Sequence, residues 1–115
     1  MIFWPLFESA QKNELLLIDG GFCHWHLRKD GQITINEIIS TKPGAGQKML
    51  KFLIANKYAI RIVAKCPAEL QANQWYKKRG FVMEGSELTR TTKRELYVWV
   101  LRLNKKGRFN LLGGV

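Results

Sequence analysis

Residues 33–57, ITINEIISTKPGAGQKMLKFLIANK, carry two periodicities joined by a glycine turn. Ile33 to Ser40 alternates, with Ile33, Ile35, Glu37 and Ile39 on one face and Thr34, Asn36 and Ile38 on the other, which is the period of a strand. After Lys42-Pro43-Gly44-Ala45-Gly46 the period changes. Met49, Leu50, Leu53 and Ile54 recur at helical spacing with Lys48, Lys51 and Lys57 between them, predicting a helix from about Gly46 to Lys57. A strand that turns through glycines into a helix has a definite capacity. The first helical N–H groups lack internal partners, and the helix dipole adds partial positive charge. Glycine lets a pyrophosphate approach the backbone, and Lys42 and Lys48 flank the turn. The stretch contains no P-loop. It also lacks a dinucleotide fingerprint, because Met49 stands where the third glycine belongs and Cys66 where an acidic residue would follow.

Working outward, Leu15 to Ile18 and Phe22 to Arg28 are strand-like runs closed by Asp19-Gly20-Gly21 and Lys29-Asp30-Gly31. Downstream, Ile60 to Ala64 is a β-branched strand. Pro67 suits the first turn of a second helix, with Glu69 near its positive end. Ala72, Trp75, Tyr76 and Arg79 form a stripe on that helix, and Gly80 closes it. Phe81 to Met83 starts a strand, Glu84 to Glu95 reads as a polar loop, and Leu96 to Leu103 is a final strand. The order β-β-β-α-β-α-β-β requires one parallel pair across a crossover, with antiparallel hairpins on either side. The expected class is α+β: a mixed, mostly antiparallel sheet layered with helices.

The chain has 115 residues, 46% apolar and 24% charged, which suits one domain with a real core. No apolar run approaches a membrane span. The opening residues lack a basic flank and cleavage site, so Cys23 and Cys66 read as free thiols and a cytoplasmic location is expected. The charge is unusual: 19 Lys and Arg against 9 Asp and Glu, a net +10. Such a field attracts nucleic acid and phosphate-bearing cofactors alike. Residues 104–115 read as a basic, flexible tail.

Residues 72–81, ANQWYKKRGF, together with the glycine turn, resemble the GNAT superfamily of N-acetyltransferases. Ala72, Trp75, Tyr76, Lys78, Gly80 and Phe81 fill that family's second motif, and the resemblance covers about Phe22 to Leu103. Thr41 stands where the family places Gln or Arg before the first glycine, and Glu69 where its asparagine often stands, with Asn73 the nearest substitute. The family also has a strand and two helices ahead of the meander, where about twelve residues stand here. The acceptor cleft is therefore expected to be open or completed by a second subunit. The apolar opening Ile2, Phe3, Trp4, Leu6 and Phe7 suits a lid or a homodimer contact through Trp4 and Phe7.

The resemblance implies transfer of an acetyl group from acetyl-CoA to an amine of an unidentified small molecule or protein. It implies that Ile38, Ile39 and Ser40 end a strand splayed from Ile60 to Ala64, where a backbone N–H would stabilise the oxyanion. Lys42, Gly44, Ala45, Gly46, Gln47 and Lys48 would cradle the pyrophosphate, and Asn73 would contact the cofactor. Tyr76 would be the general acid for the leaving thiolate. Glu37, set among Ile33, Ile35 and Ile39, is the candidate base, with His24 and His26 as rivals. Cys23 and His26 have metal-ligand spacing but no second ligand pair, so no metal is expected. The alternative functions are a CoA-binding protein without catalysis and a nucleic-acid binder. For the latter, Tyr97, Trp99 and Phe109 lie among the ten basic residues from Lys77 onward, but the alternation around Trp99 reads as a core strand.

Overall fold

The computed structural model describes residues 14–104. The elements are β1 Leu15–Ile18, β2 Gly21–Leu27, β3 Gln32–Ser40, α1 Ala45–Ile54, β4 Arg61–Pro67, α2 Ala72–Lys78, β5 Val82–Leu88 and β6 Glu95–Arg102. The strands form one sheet in the order β1-β2-β3-β4-β6-β5. Among the described strands only β3 and β4 run parallel, as the α1 crossover demands. Residues 1–13 and 105–115, including Trp4, Phe7 and the basic tail, lie outside the described residues.

Both helices cover one face of the sheet. Met49, Leu50 and Leu53 of α1 and Tyr76 of α2 join Cys23, Trp25, Ile33, Ile35, Ile62, Ala64 and Trp99 in a single core. Phe52 meets Trp25 edge-on at 6.3 Å between centroids, while Lys48 and Lys51 stay in solvent. That division is what the helical spacing of 49, 50 and 53 requires.

Three expectations need correction. First, β3 does not alternate throughout. His24 lies opposite Glu37 but Trp25 lies opposite Ile35, so Asn36 is an extra residue, a β-bulge. A one-residue slip exchanges the two faces. Ile33 and Ile35 face the helices before the bulge, and Ile38 does so after it. Glu37 and Ile39 are turned outward and exposed, so the apolar surround expected for Glu37 does not exist. Second, Pro67 ends β4, paired with Leu96, rather than opening the second helix. Its carbonyl accepts from the Leu70 N–H at 3.1 Å in a turn, and α2 starts five residues later. Third, half of Glu84 to Glu95 is strand rather than loop. β5 extends to Leu88, a turn runs through residues 89–94, and β6 begins at Glu95. Every residue of β5 is exposed. An edge strand with no buried face has no reason to alternate, so its sequence reads as loop.

The β3–β4 junction shapes the surface beside the helices. The two strands pair only from Gln32↔Arg61 to Ile35↔Ala64. Beyond the bulge, β3 stays with β2 as far as Ser40 and β4 stays with β6 as far as Pro67. The sheet thus divides into two halves that diverge toward the carboxyl ends of β3 and β4. The opposite end is fastened. Arg61 donates to the Gln32 amide oxygen at 3.0 Å and to Asp30 at 2.8 Å, Asp30 also accepts from Arg28, and the Ile60 N–H donates to the Gly31 carbonyl at 2.7 Å.

Candidate active site

The gap between the diverging strands opens toward the start of α1 and the side of α2. A cavity of about 200 Å³ lies there, lined by Ile38, Ser40, Gly46, Ala72, Trp75 and Tyr76. A second, of about 300 Å³, shares Ser40, Gly46 and Trp75 and continues along Lys42, Pro43, Gly44, Gln47 and Arg79. Together they make one groove from the Tyr76 ring to the glycine turn. The bulge at Asn36 aims Ile38 into it. A larger hollow of about 500 Å³ lies beyond α2, between Lys77, Phe81, Val82, Met83, Tyr97 and Trp99, away from both the gap and the glycine turn.

The turn at the groove's outer end has two glycines with different reasons. Gly44 caps α1 at φ 82°, left-handed backbone that side chains rarely adopt, and a Cβ there would meet open space. Gly46 has ordinary backbone, but a Cβ on it would stand 3.0 Å from the Trp75 ring. Gly46 therefore lets the start of α1 approach α2. The Ala45 and Lys48 N–H groups bond to the Lys42 and Gly44 carbonyls at 3.2 and 3.1 Å. Those of Gly46 and Gln47 find no acceptor among the described residues, so they are the donors left for an anion. Lys42 lies along Gly20 and gives Asp19 a two-pronged contact at 2.8 and 2.9 Å, tying the β1–β2 turn to the glycine turn.

Tyr76 forms the inner wall. Its ring meets Trp75 and Phe81 edge-on at 5.2 Å and stacks on Trp99 at 6.4 Å. Burial, and then the neighbouring Cys66 and Cys23 thiols, push its phenol up to about 12. Tyr76 is thus a fully protonated donor at neutral pH. Burial alone pushes Cys23 up to about 12 as well, and burial followed by Glu69 raises Cys66. Neither is suited to act as a nucleophile.

Of the residues expected from the sequence, Ile38, Ser40, Lys42, Gly44, Gly46, Gln47 and Tyr76 line this groove. Ala45 is buried at the start of α1, Lys48 is exposed beside it, and Ile39 points outward. Asn73 does not line the groove. Its amide nitrogen donates to the Pro67 and Leu70 carbonyls at 2.8 and 2.7 Å, and its oxygen accepts the Trp99 indole N–H at 2.8 Å. It holds the β4–α2 turn and positions Trp99 under Tyr76. Glu37 and His24 are cross-strand neighbours on the face away from the helices, and His26 there pairs with Glu14. Trp75, Ala72 and Arg79 are groove residues that the sequence did not single out as such. The signal lies in the 72, 75, 76, 79 stripe, of which the whole face, not Tyr76 alone, borders the groove.

No family model matches the sequence, and no curated protein matches it. Solved structures do match. An acetyltransferase of the GNAT family from Bacillus cereus superposes with TM-score 0.71 at 12% identity, over 85% of this chain and 76% of its own. The Ard1 structure from Thermoplasma volcanium gives TM-score 0.63 at 15% identity over 73% of this chain. The fold is the GNAT acetyltransferase fold. This chain spans 63% of the length of that Ard1 structure. A Bacillus anthracis structure described as a streptothricin acetyltransferase in complex with acetyl coenzyme A shares the GNAT fold, with TM-score 0.62 at 18% identity over 73% of this chain and 56% of its own. Trp99 is 7% exposed and belongs to the core, and the partly buried Tyr97 packs against it. Among the described residues no helix is long and apolar enough to cross a membrane.

Proposed function

We propose that this protein is an acetyl-CoA-dependent N-acetyltransferase that passes an acetyl group directly to an amine. The observation that carries this reading is the parting of β3 from β4 at Ile35 and Ala64, which opens onto a continuous groove from Tyr76 to the glycine turn. Among the described residues the strand edges facing that gap have no strand partner. They suit an extended amide-bearing arm such as pantetheine, with its pyrophosphate at the Gly46 and Gln47 N–H groups and its thioester beside Ile38 and Tyr76.

In the proposed reaction the amine nitrogen attacks the thioester carbonyl carbon. The carbonyl oxygen gains negative charge, stabilised by a backbone N–H at the end of β3. The C–S bond then breaks, and the amine proton leaves to water or to an exposed carboxylate such as Glu37. Tyr76 serves the leaving sulfur. Complete proton transfer from a phenol at about 12 to a thiolate with an ordinary pKa of about 8.5 is uphill, so Tyr76 acts chiefly by donating a hydrogen bond as charge builds on sulfur. Its ring is positioned before the reaction by Trp75, Phe81 and Trp99.

Two measurements test this. Acetyl-CoA should raise the melting temperature, because a ligand of the native state stabilises it by mass action. Thiol release should then occur with amines, polyamines or peptide amines. Tyr76→Phe should retain the thermal shift and lower kcat roughly a hundredfold. A shift without thiol release for any amine would identify a cofactor-binding protein without transfer, and the absence of a shift would overturn the reading.

A further inference from the structure

Two cationic side chains line the outer part of the groove, Lys42 and Arg79, and the structure gives them different circumstances. Lys42 holds Asp19 through both carboxylate oxygens, so its charge already has a partner. Arg79 follows the last turn of α2, and its guanidinium lies over the Trp75 ring at 5.9 Å. Its Nε is buried and finds no acceptor among the described residues. A buried guanidinium N–H without a partner is costly, and the cost disappears when an anion arrives. The cation–π contact with Trp75 holds the guanidinium beside the groove beforehand, which reduces the side-chain entropy lost on binding. The same Trp75 ring abuts Gly46, whose N–H is one of the two unpartnered donors of the turn. Arg79, Trp75 and the glycine turn thus form one wall of one cavity, which among the described residues is lined by donors and positive charge and by no carboxylate.

Taking the groove as the acetyl-CoA site, on which this step rests, we infer that Arg79 is its phosphate-recognising side chain. It binds a phosphoryl group of the nucleotide arm, so that the site selects CoA thioesters over pantetheine thioesters that lack phosphate. Arginine suits this role because its fork offers two parallel N–H donors to phosphate oxygens, which a lysine cannot supply.

The test compares acetyl-CoA with acetyl-pantetheine on the full chain and on Arg79→Gln and Arg79→Lys. Arg79→Gln should weaken acetyl-CoA binding roughly tenfold to a hundredfold and leave acetyl-pantetheine unchanged, with Arg79→Lys between. The fall of acetyl-CoA affinity with salt should also become shallower in Arg79→Gln. Equal loss for both thioesters would mean that Arg79 only packs, and no loss for either would place phosphate recognition elsewhere. Both results overturn this inference while leaving the acetyl-CoA site standing. Failure of the unaltered chain to bind acetyl-CoA would overturn the proposed function and this inference together.

Discussion

Tyr76 and Cys23 illustrate how burial sets chemistry, reinforced at Tyr76 by the neighbouring Cys66 and Cys23 thiols. Both stay neutral because the core offers no charge to stabilise a phenolate or thiolate, and both are held near 12. In the unfolded chain the same groups ionise near 10 and 8.5. Between those values and about 12 the unfolded chain has lost protons that the folded chain keeps, so stability falls as pH rises. Denaturant midpoints should therefore show no pH dependence from these groups below about pH 8, then decline from about pH 9, with Tyr76 adding to the slope above about pH 10. Cys23→Ala should flatten the first part of that decline, and an unchanged curve in the variant would refute the assignment. Residue by residue, the sequence discloses what depends on local spacing. The Trp75-Tyr76 pair and Gly80 sit in one helix and its cap, and they are legible. The role of Asn73 is not, because its partners are the turn carbonyls and an indole on β6, brought near only by tertiary pairing. Glu37 misleads for a related reason: one extra residue at Asn36 inverts everything beyond it, and no local propensity marks that residue.

At the scale of elements, the strand–turn–helix unit is readable to within two or three residues because two periods meet there. Its glycines are readable as a pair but not in their separate duties. Gly44 answers to backbone conformation and Gly46 to the neighbouring helix. The two should therefore respond differently to substitution. Gly44→Ala should cost about 1–2 kcal/mol in stability, from left-handed backbone alone, and leave the groove's shape intact. Gly46→Val should push Trp75 aside, altering its fluorescence and weakening acetyl-CoA binding more than stability. If the Gly46 variant leaves both signals unchanged, the close approach of α1 and α2 does not govern the groove. The start of β5 is legible at Phe81 to Met83, but its continuation from Glu84 escapes recognition because exposure on both faces removes the pattern by which strands are found; only its pairing with β6 defines it there.

At the scale of the whole domain, the described residues form two antiparallel half-sheets joined by one short parallel seam. That arrangement is implied by the element order, since a crossover between hairpins leaves only one parallel pair. The point where the seam ends is not implied, because it depends on the bulge. The polar cluster of Arg61, Asp30, Gln32 and Arg28 fastens the closed end. Arg61→Ala should cost about 1 kcal/mol and speed amide exchange at residues 32–35 and 61–64 more than within β5–β6. Uniform acceleration across the sheet would show that the cluster stabilises the domain without fastening the seam. Joined at one end, the halves act as a lever. With a rise of roughly 3.3 Å per residue, Ser40 lies roughly 16 Å beyond the last paired residue, Ile35, so a small rotation about the seam is magnified at the groove's mouth. Substitutions at Ile33 or Ile62, which touch nothing in the groove, can thereby change its width.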